Sequence, residues 1–191
     1  MTGDRGRARI RVWRLKFEVG SLELGSSDQG LLAGPPRYKL VPRTLAFVTH
    51  QGAVLLLQGA PTKRLWAGKF NGVGGHVERG EDVLTSARRE IWEETGLAVT
   101  ELRLCGAVNV DVGAEAGIGV FVFRAEAFTR QTRPSSEGEL HWVEPHQMAE
   151  LPLVPDLPII LPRALAHRPG DEPFFARYSY DDQDQLVITF G

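Results

Sequence analysis

Cysteine is almost missing: Cys105 is the only one in 191 residues. No internal disulfide can form, and apolar Leu104 beside it fits a buried thiol. A reducing compartment, the cytoplasm, is the simplest setting. Long apolar runs are missing as well. No stretch reaches the roughly 18 apolar residues of a membrane-spanning helix, and the first residues lack the apolar core of a secretory signal. No membrane partner is expected. A surplus of one charge is also lacking. The 22 Lys and Arg stand against 24 Asp and Glu, a formal net charge of -2. That balance gives no global basic field for duplex nucleic acid. Apolar residues make up 42% of the chain, enough for the core of one domain with or without an appendage.

The positive charge that exists is uneven. Residues 1–16 hold Arg5, Arg7, Arg9, Arg11, Arg14 and Lys16 against one acid, Asp4. Trp13, Leu15, Phe17 and Val19 alternate with charges as in a strand. Gly, Ser and Pro then dominate up to Pro36, a linker composition. The chain thus divides into a basic arm and linker, residues 1–37, and a domain, residues 38–191. A mobile tail is the preferred reading of the arm over a surface for an anionic partner or a targeting peptide.

In the domain, Thr44–His50 and Ala53–Gln58 are apolar runs rich in β-formers, with Gln51-Gly52 as a hairpin turn between them. Gly59–Gly75 reads as a loop, a short strand and a glycine turn. It carries Lys63, Arg64 and Lys69, either phosphate-facing cations or an ordinary solvated loop. A helix follows from Glu81-Asp82, with Val83, Leu84, Ala87 and Ile91 as its apolar stripe and Gly96 as its terminator. Strands are expected at Val99–Leu104, Ala107–Val112 and Ile118–Ala127, and at Glu139–Val143, Phe174–Tyr180 and Leu186–Phe190. Weaker helices are expected at Pro145–Leu151 and at Pro155–Ala166, where Pro158 and Pro162 intrude. Many strands with one strong helix indicate an α+β fold rather than a doubly wound sheet.

The most informative stretch is Gly75–Leu97, GHVERGEDVLTSARREIWEETGL. Residues three and four apart share a helix face, so Glu90, Glu93 and Glu94 project together. Their mutual repulsion calls for a positive partner. A hard divalent cation with oxygen ligands is the natural candidate, and Mg²⁺ binds through a few carboxylates plus substrate phosphates. A solvated acidic helix with ion pairs such as Arg89–Glu93 explains neither the preceding GVGG turn, Gly72–Gly75, nor the isolated Glu81.

The spacing matches the Nudix box at each defining position: Gly75, Glu81, Arg89, Glu90, Ile91, Glu93, Glu94, Gly96 and Leu97. The chain therefore resembles a Nudix hydrolase. The resemblance implies a Nudix fold: a mixed sheet with the box helix and one or two further helices packed on it, an α/β/α sandwich. It also implies hydrolysis of a nucleoside diphosphate-linked substrate with Mg²⁺, or Mn²⁺ in its place. By resemblance the Gly74 carbonyl, Glu90 and Glu94 ligate the metal. Glu93 or Glu137 is a further ligand or the base, and Arg89 holds the carboxylates in position.

The flanks narrow the likeness. FNGVGGHVERGE, Phe70–Glu81, is similar to the corresponding segment of the 8-oxo-dGTP diphosphatase branch. In that branch the asparagine matching Asn71 contacts the purine. Glu137, ahead of Trp142, stands where the branch has a metal-binding glutamate outside the box. Pro155-Asp156 match part of the branch's base-reading WPDD segment. Val154 and Leu157 occupy the positions of its Trp and second Asp, and His76 replaces a common Lys. The implied reaction turns a purine nucleoside triphosphate, oxidised or not, into the monophosphate and pyrophosphate. Two alternatives stay open. One is a hydrolase of another diphosphate: a nucleotide sugar, a dinucleoside polyphosphate or a capped RNA. The other is a sensor that holds a nucleotide without cleaving it. The sequence leaves the oligomeric state open.

Overall fold

The computed structural model describes residues 37–191. Apart from Arg37, the expected arm and linker lie outside the described residues. Among the described residues eight strands form one mixed sheet: β1 (Lys39–His50), β2 (Ala53–Gly59), β3 (Phe70–Asn71), β4 (Val99–Val110), β5 (Ala116–Ala127), β6 (Gly138–Val143), β7 (Phe174–Tyr180) and β8 (Leu186–Phe190). Helix α1 spans Val83–Thr95 and α2 spans Leu157–Ala166, with a 3₁₀ turn at Pro145–Glu150 between β6 and α2. The strand order is β3-β2-β1-β5-β4-β7-β8, with β6 also paired to β2. The β1–β5 and β4–β7 pairs are parallel and the rest antiparallel.

The unbroken apolar runs of β1 and β2 have a simple cause: both faces of the sheet are covered. Phe47, Val54 and Leu56 point into a core shared with Ile160 and Leu161 of α2. Their neighbours Ala46, Val48 and Leu55 point into a second core with Ala87 and Ile91 of α1. The period-2 alternation thus sorts one strand into two cores. The result is α+β with a helix on each face, the layered sandwich expected. At the hairpin, Gln51 (φ 50) and Gly52 (φ 87) are both left-handed, as a twisted two-residue turn requires.

Several boundaries differ from expectation. Strand β1 begins at Lys39, before Thr44, because its first half pairs in parallel with β5 from Ala116 onward. The two strands expected over Val99–Val112 are one, β4, interrupted by register shifts rather than a turn. The glycine between them serves packing: a Cβ on Gly106 would lie 2.5 Å from the Phe174 ring. Asp111 closes β4 early, because its Oδ1 accepts from the Gly113 N–H at 2.9 Å and starts the next turn. The segment from Pro145 is a 3₁₀ turn rather than an α-helix. Its Glu144 N–H is satisfied by Gln147 Oε1 at 3.1 Å. Helix α2 starts at Leu157 and tolerates Pro158 in its first turn.

In α1, Leu84 is exposed, so the apolar stripe is narrower than expected. Ser86 and Thr95 are buried instead, and both hydroxyls are satisfied. Ser86 Oγ donates to the His76 carbonyl at 3.3 Å, and Thr95 Oγ1 to the Ile91 carbonyl at 2.5 Å. Ser86 thereby ties the helix to the residue that follows the glycine turn. No helix among the described residues is long and apolar enough to cross a membrane.

Candidate active site

The site is built where α1 meets the glycine turn. That turn runs beside β1, with Thr44 N–H donating to the Gly75 carbonyl at 2.9 Å and Ala46 N–H to the Val73 carbonyl at 2.6 Å. The fit leaves no room for side chains. A Cβ on Gly74 would lie 2.1 Å from the Thr44 carbonyl oxygen, and one on Gly75 would lie 2.4 Å from Glu90 Oε1. The first glycine admits the neighbouring backbone and the second admits a carboxylate.

Helix α1 is started by Asp82, whose Oδ1 accepts from the N–H groups of Leu84 and Thr85, both at 2.9 Å. These bonds, with Thr85 contributing most, hold the Asp82 carboxyl below its ordinary range. Gly96 ends the helix in the left-handed region, φ 73. Its N–H donates to the Trp92 carbonyl at 2.9 Å.

Between these ends Arg89 is the hub. Its Nε and Nη2 grip both oxygens of Glu81 at 3.1 and 2.6 Å. Its Nη1 reaches Glu90 at 2.9 Å and Glu93 at 3.0 Å, and Nη2 also donates to the His76 carbonyl at 3.1 Å. Arg89 and the Glu78 N–H hold the Glu81 carboxyl down at about 2. The isolated Glu81 of the sequence is thus the second half of an arginine fork.

Glu94 lies on the other side of the turn, its Oε2 accepting from the Gly74 N–H at 3.3 Å. Burial raises its carboxyl to about 7; Glu90 and Glu137 add to the rise, while the Gly74 N–H and Lys63 oppose it. Glu137 arrives from the loop before β6 and pairs with Lys63 at 2.6 Å. Arg64 makes no ion pair among the described residues, and Lys69 stands over the Trp66 ring at 5.7 Å. Of the three predicted cations, only Lys63 is joined to the carboxylate set.

The segments that carry Asn71 and Asp156 are joined through the backbone. Phe70 pairs with Leu153 in a parallel bridge, with Phe70 N–H donating to the Pro152 carbonyl at 3.0 Å and Val154 N–H to the Phe70 carbonyl at 3.1 Å. This seats the start of α2 beside β3. Asn71 Oδ1 accepts from the Gly72 N–H at 2.8 Å, which leaves its NH₂ group to donate elsewhere. Burial raises the Asp156 carboxyl. Beside it the buried Tyr178 hydroxyl lacks a well-formed hydrogen bond. Val154 and Leu157 are buried in the α2 core, so neither presents a side chain to this edge.

Beside the Lys63–Glu137 pair, two contacts of α1 were not anticipated from the sequence. One is the His76 carbonyl as an acceptor for Arg89, which no side-chain motif reveals. The other is Arg133, which bonds the end of α1 from the far side of the chain. The signal for it was available: the last turn of α1 carries no cation of its own.

The family model described as NUDIX domain matches residues 39–164. The chain belongs to the Nudix family. It is 36% identical to the oxidized purine nucleoside triphosphate hydrolase of Danio rerio over 102 residues, 53% of this chain and 64% of that protein. That match therefore spans slightly less than two thirds of the relative. Identity to the protein of the same name from Mus musculus is 30% over 145 residues, 75% of this chain and 89% of that protein. Among solved structures, a MutT protein from Bacillus halodurans superposes with a TM-score of 0.66 at 27% identity, covering 79% of this chain and 97% of that one. With an intact box and relatives named as hydrolases, this Nudix domain is that of a hydrolase. Nudix hydrolases generally use divalent metals.

Among the described residues no three acidic, histidine or cysteine side chains converge into a finished metal cage. Glu90 and Glu93 are turned to Arg89, and Glu137 to Lys63. The donor set nonetheless fits a hard cation. The Gly74 carbonyl accepts no hydrogen bond among the described residues, and Glu94 and Glu90 flank it through Gly74 and Gly75.

Proposed function

We propose that this Nudix hydrolase cleaves a purine nucleoside triphosphate, oxidised or not, to the monophosphate and pyrophosphate, with Mg²⁺. Mn²⁺ is the alternative ion. The observation on which the purine reading rests is the Phe70–Leu153 bridge, which joins the strand bearing Asn71 to the segment leading into Asp156 and α2. The two relatives named for oxidised purine triphosphates support it.

The Gly74 carbonyl, Glu90 and Glu94 would hold the cation, with Glu93 or Glu137 as a further ligand. The bound cation would neutralise phosphate charge and lower the pKa of a water. The chain's own residues do the rest. Arg89 holds Glu81, Glu90 and Glu93 in one array, so the carboxylates need not reorganise during the reaction. Glu93 or Glu137 accepts a proton from the attacking water. The water oxygen bonds to phosphorus, the bridging P–O bond breaks and pyrophosphate leaves. Lys63, Arg64 and Lys69, on the loop between β2 and β3, would lend positive charge to the outgoing phosphates, with Lys63 the one already joined to the carboxylate set.

At the base, the Asn71 NH₂ donates to a purine acceptor. Asp156, protonated, donates as well. Val154 and Leu157, at the positions of the 8-oxo-dGTP branch's Trp and second Asp, are buried and supply neither an aromatic ring nor a second acid, so 8-oxo-dGTP is tested against dGTP. A cytoplasmic location suits Cys105, a wholly buried thiol that burial pushes up to about 11.

The test is product analysis with Mg²⁺ on a panel: dGTP, 8-oxo-dGTP, dCTP, ADP-ribose, a nucleotide sugar, a dinucleoside polyphosphate and a capped RNA. Pyrophosphate released fastest from the purine triphosphates is expected. Turnover confined to another diphosphate would replace the substrate, and binding without turnover would make the chain a sensor.

A further inference from the structure

The C-terminal half of α1 has an electrostatic fault. Glu90, Glu93 and Glu94 sit toward the negative end of the helix dipole, where acids are unfavourable. The last turn holds no basic residue to offset them. The compensation comes from Arg133, in the loop between β5 and β6. Its Nη2 donates to the Trp92 carbonyl at 2.6 Å and to the Glu93 carbonyl at 3.0 Å. Its main-chain N–H donates to the Thr95 carbonyl at 2.9 Å. Its guanidinium lies over the Trp92 ring at 5.3 Å, which gives that exposed tryptophan a role. One residue thus bonds the Glu93 and Thr95 carbonyls that the helix end leaves unsatisfied, and adds a second donor to the Trp92 carbonyl already bonded by the Gly96 N–H.

The same loop carries Glu137, four positions on. Its far end is held by the Lys63–Glu137 ion pair at 2.6 Å and by the Ala60 N–H donating to the Glu137 carbonyl at 3.0 Å. Arg133 fixes the near end to the very helix that bears the box carboxylates.

We propose that Arg133 is a positioning residue that ties the Glu137 loop to the end of α1 and so sets Glu137 against Glu90 and Glu94. This rests on the reading of Glu137 as a member of the metal and base set. It adds a residue outside the box to the machinery, acting through Glu137 rather than on substrate.

The test compares the full-length wild type with R133A, R133K, E137Q and the R133A/E137Q double variant. Three quantities are read: dGTP turnover against Mg²⁺ concentration, the Mg²⁺-dependent rise in melting temperature, and amide hydrogen exchange over residues 135–138. In R133A the Mg²⁺ midpoints of turnover and thermal rise should both increase about tenfold, and the loop amides should exchange faster. R133K keeps the charge but loses the fork, so it should fall between wild type and R133A. In the double variant R133A should add less than twofold to the E137Q defect.

A lower melting temperature in R133A with unchanged Mg²⁺ midpoints and loop exchange would reduce Arg133 to a helix cap and overturn the proposal. So would defects that multiply in the double variant. If R133A does not fold, R133K decides by the same exchange readout: faster loop exchange supports the tie and unchanged exchange overturns it. Wild-type turnover and midpoint in E137Q would instead overturn the assignment of Glu137 itself, whatever the Arg133 variants do.

Discussion

Arg89 and Glu81, eight positions apart, meet as a two-pronged ion pair with N···O distances of 2.6 and 3.1 Å. Glu81 lies ahead of α1 and Arg89 in its middle, so the pair braces the helix against the loop that feeds it. The same guanidinium reaches Glu90 and Glu93. One cation therefore keeps three carboxylates close without a metal.

Replacing Arg89 should damage both activity and fold. Arg89→Ala leaves Glu81 and Glu90, both largely shielded, without their partner. Turnover should fall by about a hundredfold, because the array must then reorganise for each reaction. The urea midpoint should fall as well. Arg89→Lys should recover little, since a point charge cannot fork across Glu81 while reaching Glu90. Recovery of wild-type turnover by lysine would show that charge alone suffices.

Glu94→Gln separates charge from shape. Turnover should fall by about a thousandfold, ~4 kcal/mol of transition-state stabilisation. The fold should survive. In EDTA the melting temperature of this variant carries a further signal. The Glu94 carboxyl is raised from 4.5 to about 7 in the folded protein, so its contribution to stability is full below 4.5 and is lost as pH rises through 7. Wild type should therefore lose stability relative to Glu94→Gln between pH 4.5 and 7, and added Mg²⁺ should restore it. Parallel melting curves across that range would contradict the burial of this carboxylate.

The two glycines of the turn should fail differently. A methyl on Gly74 meets backbone, the Thr44 carbonyl at 2.1 Å, so Gly74→Ala should destabilise by about 1–3 kcal/mol or more. A methyl on Gly75 meets the Glu90 carboxylate, which can swing away. Gly75→Ala should keep its melting temperature nearly unchanged yet lose most of its turnover. Equal loss of stability in both would mean that Glu90 is not free to move.

Asn71→Ala tests base reading. Losing a hydrogen bond to the base costs about 1–3 kcal/mol, so purine efficiency should drop about tenfold or more. The gap between purine and pyrimidine substrates should narrow. Asn71 also bonds the Gly72 N–H, and if that were its whole role the efficiencies on dGTP, 8-oxo-dGTP and dCTP would fall together.

Much of this was legible before any coordinates. The β-forming apolar runs Thr44–His50 and Ala53–Gln58 pointed to the sheet, and the apolar stripe and Gly96 pointed to the helix that starts at Asp82. Local signals of this kind survive because neighbouring residues decide them. What escaped was set by distant partners. Leu84 fits a helical stripe, yet its side chain is exposed. Gly106 looks like a break and is a seat for Phe174. Pro42 does not stop β1, whose parallel partner β5 lies far along the chain. In the site, the Arg89–Glu93 pair is visible as charge spacing and the wider role of Arg89 came from the family resemblance, whereas Lys63–Glu137 and Arg133–Trp92 join segments far apart in sequence. No motif encodes those contacts.

The most direct measurement is pyrophosphate release by the purified full-length protein from dGTP, 8-oxo-dGTP and dCTP, with Mg²⁺ and with EDTA, beside Glu94→Gln as control. Expected are stoichiometric monophosphate and pyrophosphate, only with Mg²⁺, faster from the purines, and about a thousandfold slower in Glu94→Gln. Pyrophosphate release from no nucleotide, or release that Glu94→Gln leaves unchanged, would contradict the assignment of this carboxylate array to triphosphate hydrolysis.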